Sequence, residues 1–172
     1  HHRVKNNLQV ISSLLKLQAN FISDPTALNA LADGRNRVQS MALLHQKLYR
    51  EEDMLGVDMK SYFTELVQGL FDAYDVSENN VALKMDIKDL SLDVDTVIPL
   101  GLIANELISN SLKHAFDEVK EPVLKMSLGE EDGMLVLRVK DNGKGLEDVD
   151  LMKNDKSFGQ RLIASLSQKL QA

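Results

Sequence analysis

Apolar residues at the start of the chain recur at helical spacing in two neighbouring stripes. One runs Val4, Leu8, Ile11, Leu15 and the other Val10, Leu14, Leu17, Phe21, with steps of three and four. Asp24 followed by Pro25 reads as an N-cap and first-turn proline. Leu28, Leu31, Val38, Ala42, His45 and Tyr49 then keep a helical period. The pattern predicts a helical hairpin. Gly34 costs that second helix about 1 kcal/mol relative to alanine, so it must rely on packing. Two stripes on one helix suit a four-helix bundle closed by a second copy, and a homodimer is expected.

A third helix is predicted over 58–74, with Met59, Tyr62, Phe63, Leu66, Val67, Leu70 and Phe71 on one side. The period then changes. Val81, Leu83, Met85 and Ile87 alternate with Ala82, Lys84, Asp86 and Lys88, as a half-buried strand requires. Asp95 is read as the cap of a helix with Pro99 in its first turn, continuing to about Phe116. Strands over 123–128 and 134–140, separated by the turn-rich GEEDG, read as an antiparallel hairpin. The charged loop 147–156 is read as a lid, and RLIASLSQKLQA as a last helix. The class is α+β: a dimerising hairpin over 1–55, then an α/β sandwich over 56–172.

Composition narrows the functional classes. The 172 residues are 44% hydrophobic, enough for one domain or two small ones. A net charge of −6 without a basic cluster argues against a nucleic-acid or anionic-membrane partner. The absence of cysteine excludes a disulfide framework and fits a reducing cytoplasm. No apolar run has the roughly 18 residues of a membrane span and the polar start is not a signal peptide, so a soluble cytoplasmic fragment without membrane contact is expected.

Three segments carry chemistry-bearing residues. On the helix to Phe116, Glu106, Asn110, Lys113 and His114 share a face opposite Ile103, Leu107 and Leu112. Such a face is either solvated or supplies the base, metal-binding oxygen and phosphate counter-charge that a nucleotide with magnesium uses. In DNGKGL, Asp141 stands at a strand end, followed by Gly143 and Gly145. This is either a plain turn or a loop whose carboxylate accepts a hydrogen bond from an exocyclic amine while glycine lets the backbone approach a ring or phosphate. Ser157, Phe158 and Gly159 precede a helical pattern, an ordinary cap or a phosphate seat.

In this order, NELISNSLKHAF, DNGKGL and SFGQRLI resemble the N box and the two glycine boxes of the GHKL ATPase superfamily. HHRVKNNLQVISSLLKLQ with RVQSMALLHQKLY resembles the dimerisation and phosphoacceptor hairpin of HWE-related sensor histidine kinases. The resemblance implies a kinase core that uses ATP and Mg2+ to phosphorylate a histidine of its own and passes the phosphoryl group to an aspartate of a response regulator. Carried over by position, His2 is the phosphoacceptor, Asn110 the magnesium ligand, Glu106 the group supporting transfer and Lys113 a phosphate contact. His114 lies beside the nucleotide, Asp141 reads the adenine amino group, Gly143 and Gly145 form the first glycine loop, and Ser157, Phe158 and Gly159 belong to the second. Phe158 stands where the family pattern has leucine. Lys5 and Asn6 could meet the γ-phosphate, and His45 is read as structural. The family's final strands are absent from the sequence, and the sheet is expected to be incomplete. Two other readings use the same residues: a GHKL-type ATPase or protein-serine kinase, and a catalytically silent dimeric scaffold.

Overall fold

The computed structural model describes residues 2–48, 57–76, 80–145 and 158–170. Helix α1 (His2–Ala19) and helix α2 (Pro25–Leu48) form the expected hairpin. Asp24 caps α2, its two carboxylate oxygens accepting from the Thr26 and Ala27 amides at 3.2 and 3.3 Å. At the end of α1, amides of residues 20–22 bond carbonyls three residues back, tightening the last turn into the loop. Leu8, Ser12, Leu15 and Ala19 make the half-buried side of α1, while Val10, Leu14, Leu17 and Phe21 are exposed, Phe21 at 86%.

Helix α3 (Met59–Ala73) is capped by Asp58, which accepts from the Ser61 amide. All seven residues expected on its apolar side are buried. Strand β1 (Ala82–Ile87) alternates exposed and half-buried positions as its sequence does. Helix α4 (Val94–Asn110) runs on into a π-helical turn, Ser111–Ala115. Strands β2 (Val123–Glu131) and β3 (Met134–Asp141) follow, and α5 (Phe158–Lys169) is the last described element. The sheet order is β1-β2-β3, with β1 parallel and β3 antiparallel to the central strand. Leu124, Met126 and Leu128 of β2 are at most 2% exposed and join Phe63, Val67, Phe71, Val97 and Ile108 in one core. The α+β class holds.

Two local expectations are corrected. The α4 cap is Asp93, which accepts from the Thr96 amide at 2.9 Å, so Pro99 lies in the second turn rather than the first. The proline is tolerated there because the bond it removes is close to the helix end. The GEEDG segment is mostly strand: only Asp132 and Gly133 turn, both left-handed at φ 50 and 76, as a two-residue hairpin turn of the primed kind demands. Gly101 is a packing position, since a Cβ there would meet the Tyr62 hydroxyl at 2.2 Å. Burial of Tyr62 raises its phenol pKa above the ordinary range.

The hairpin packs against the rest of the chain through α2. Leu44, 2% exposed, belongs to the same core as α3, α4 and β2. Towards the N-terminus of α2 the buried positions become polar, Ser40 at 5% and Asn36 at 4%. Ser40 faces the helix that carries the candidate chemistry, and Asn36 faces Tyr74 at the end of α3.

Candidate active site

The loop after β3 is pinned to the end of α4. Asp141 Oδ2 accepts from the Ser111 hydroxyl at 2.6 Å and Oδ1 from the Gly143 amide at 3.0 Å. The Asn142 side chain accepts from the Val123 amide at 2.7 Å and donates to the Glu121 carbonyl at 2.9 Å. The Lys144 amide bonds the Ala115 carbonyl at 3.1 Å. This carboxylate is therefore held at a strand end against the π-helical turn, half-buried, with lone pairs left for a further donor.

The two glycines of this loop act differently. A Cβ at Gly143 would lie 2.4 Å from the Ala115 carbonyl oxygen and 2.5 Å from its Cβ, whereas Gly145 has open space but a left-handed φ of 74. Backbone cannot yield as a flexible side chain can. Gly143→Ala should therefore cost about 1–3 kcal/mol, as overpacking does, and Gly145→Ala only about 1 kcal/mol for its backbone conformation. Urea unfolding of the two variants checks the order; equal midpoints would remove the steric role given to Gly143.

The expected polar face of α4 divides in the structure. Asn110 and His114 are exposed, and Lys113 is half-buried on the π-helical turn, where the extra residue rotates it relative to a regular helix. Glu106 departs from the expectation: it is buried at 4% and turned to the hairpin. Arg37 of α2 clamps it, Nε to Oε1 at 2.5 Å and Nη2 to Oε2 at 2.9 Å. This pairing raises the Arg37 pKa above its ordinary value, chiefly through the hydrogen bond to Glu106. Lys113 is ion-paired to Asp33 of α2 and its ammonium stands 5.6 Å from the Tyr74 ring. Ser40 bonds Asn105 Oδ1 at 2.6 Å, and Asn36 donates to the Tyr74 hydroxyl at 3.1 Å. The Arg37 guanidinium lies 4.7 Å over the Phe158 ring. Asp33, Arg37 and Ser40 touch the helix of the candidate site and were missed by sequence reasoning; their i, i+4, i+7 spacing was the available signal, masked by the weak apolar pattern around Gly34.

Gly159 is buried at the start of α5 and Phe158 is exposed. Ser157 and loop 147–156 lie outside the described residues, as do the side chains of His2 and Lys5; the backbone of His2 opens α1. His45 is half-buried on α2, and burial lowers its pKa. A cavity of about 470 Å3 between α2 and α3 is lined by Asn36, Ser40, Leu43, Leu66 and Leu70 and touches neither Asp141 nor Asn110. No helix among the described residues is long and apolar enough to cross a membrane.

The donor set suits magnesium nucleotide. Magnesium keeps most of its shell as water and phosphate oxygen, needing only one or two protein oxygens, and Asn110 presents an exposed amide. Asp141 offers an acceptor for an amine, while Lys113 offers a cation once released from Asp33.

A helical hairpin packed on helices and a three-stranded sheet is a fold shared with solved histidine kinase domains. The histidine kinase domain of the Erythrobacter litoralis EL346 blue-light activated histidine kinase has the same fold, with a TM-score of 0.69 over 97% of this chain and 77% of that one at 22% identity. Residues 1–74 match the family model HisKA_2, histidine kinase, and that segment is of the histidine kinase family. It is 31% identical over 171 residues to the sensor histidine kinase PdtaS of Mycolicibacterium smegmatis, covering 96% of this chain and 33% of that protein. It is 27% identical over 176 residues to blue-light-activated histidine kinase 2 of Erythrobacter litoralis, covering 99% of this chain and 50% of the relative. The chain thus spans a third to a half of these relatives.

Proposed function

We propose that this chain is the kinase core of a two-component sensor: it binds ATP with magnesium, phosphorylates His2, and gives up the phosphoryl group to an aspartate on a response-regulator receiver domain. The observation that carries the reading is the pinned Asp141 loop, packed through Gly143 on Ala115 within a few residues of Asn110. Its support from outside the site is the family match over 1–74 and the similarity to sensor histidine kinases over nearly the whole chain.

In this reading residues 1–55 present the phosphoacceptor and 56–172 hold the nucleotide. Asp141 accepts the hydrogen bond of the adenine amino group, with Gly143 and Gly145 lining the ring, and His114 lies alongside. Asn110 holds magnesium, whose chemistry is to neutralise phosphate charge. Lys113 contacts the phosphates, joined by the second glycine segment at Ser157, Phe158 and Gly159. The neutral imidazole of His2 attacks the γ-phosphorus; the bond to the ADP oxygen breaks, and Glu106 supports the transfer electrostatically. The exposed row Val10, Leu14, Leu17 and Phe21 supports pairing with a second copy through a four-helix bundle.

The test is incubation of the natural full-length protein with γ-labelled ATP and magnesium. Label that is lost in acid and survives base is expected, and it should move to a receiver domain. Acid-stable label would favour a protein-serine kinase, ATP hydrolysis without label a GHKL ATPase, and no nucleotide binding a silent scaffold.

A further inference from the structure

We infer that Asp33 and Arg37 form an autoinhibitory latch: α2 holds Lys113 and Glu106 in a resting arrangement that nucleotide and phosphoryl transfer must break. The inference rests on the reading of Lys113 and Glu106 as phosphate-handling groups.

Several observations converge on the seam. Asp33 and Arg37 are four residues apart on one helix, so they present a negative and a positive charge side by side. Opposite them stand a positive and a negative charge, Lys113 and Glu106. The side chains are mostly withdrawn from water: Arg37 is 19% exposed, Glu106 6%, Lys113 21% and Asp33 26%. At such burial the pairs are only weakly screened by salt. The carboxylate of Asp33 takes the ammonium that a phosphate oxygen would take. The guanidinium of Arg37 occupies both oxygens of Glu106, leaving it poorly placed to serve a reacting group, and also stands over the ring of Phe158 in the second glycine segment.

The contacts are ordered along α2. Leu44 is embedded in the core near the end of the helix; Ser40 then meets Asn105, Arg37 meets Glu106 and Asp33 meets Lys113. The apolar contact is nearest the connection to α3, and the ionic contacts lie progressively farther from it. That order suits a hinge at Leu44 and a clasp at Asp33. A simple positioning role for Arg37 would explain Glu106 but not the second pair, which removes a cation from the phosphate side.

Because the latch competes with nucleotide, its removal should raise affinity by about the usual coupling factor of five- to a hundredfold, and nucleotide should loosen the seam by the same factor. The experiment compares the full-length protein with its Asp33→Asn and Arg37→Gln variants, using a non-hydrolysable ATP analogue with magnesium. Affinity is read by calorimetry and seam distance by a label pair on cysteines introduced at exposed Asn29 and Lys125. Both variants are expected to bind about tenfold tighter and to show the opened distance before analogue is added, whereas the parent opens on addition. Asp33→Asn preserves side-chain shape and decides the matter alone if Arg37→Gln does not fold. Equal affinity and distance in parent and variants would overturn the latch while leaving the nucleotide site standing. Arg37→Gln that binds as the parent does but transfers more slowly would make Arg37 a positioning residue instead. No binding by parent or variants would overturn the kinase reading and the latch with it.

Discussion

His2→Ala is expected to reduce acid-labile labelling of this protein by γ-labelled ATP to background while leaving nucleotide binding unchanged. The chemistry admits no partial substitute, because methyl has no lone pair with which to attack phosphorus, and a neighbouring group would need the same in-line geometry. Three other histidines bound the prediction. His45 is half-buried on α2 beside the core residue Leu44, and His114 lies on the π-helical turn with the candidate nucleotide groups rather than on the hairpin. His1 adjoins His2 and is the sharper control. Autoradiography after base treatment of His1→Ala, His2→Ala and His45→Ala settles the assignment. Label retained in the His2 variant and lost in either of the others would sink it.

Asn110→Ala should lower the rate of transfer by about 100- to 1000-fold, the scale on which removal of one group that stabilises transition-state charge is felt. The fold should be indifferent. Asn110 is exposed at the end of α4, its side chain makes no hydrogen bond to the described residues, and alanine is the better helix former, so stability is expected to stay within about 0.5 kcal/mol of the parent or rise. Single-turnover kinetics across a magnesium titration, beside a thermal melt, separates the two effects. A true ligand shows weaker magnesium dependence and an unchanged melt. Parent-like transfer at every magnesium concentration would remove Asn110 from the metal site.

Both candidates are named from local sequence alone, His2 within HRVKNN and Asn110 within NELISN. The latch groups were not, although Asp33 and Arg37 stand in plain sight on α2. Nothing in their spacing names a partner sixty-nine or eighty residues away, and a surface reading was the natural one for charges on a helix whose apolar pattern is weak. Glu106 shows the same gap from the other side. Its place one turn before Asn110 predicted an open polar face, but the docking of α2 buries it under Arg37.

What the sequence determined by itself is whatever short-range periodicity and local capping decide: the apolar side of α3, the alternation in β1, the Asp24 cap, and the existence of β2 and β3. Even there, Asp93 and Asp95 compete over three residues, and hydrogen-bond geometry at Thr96 chose between them. Tertiary structure alone decided that β1 lies parallel to β2, that α4 ends in a π-helical turn against the Asp141 loop, and that α2 lays Asp33 and Arg37 on Lys113 and Glu106. The physical reason is range: side-chain period and caps are set within a turn or two of the chain, whereas charge pairing between elements depends on how already formed helices dock, a choice made by the buried surface around Leu44 and the core beneath it.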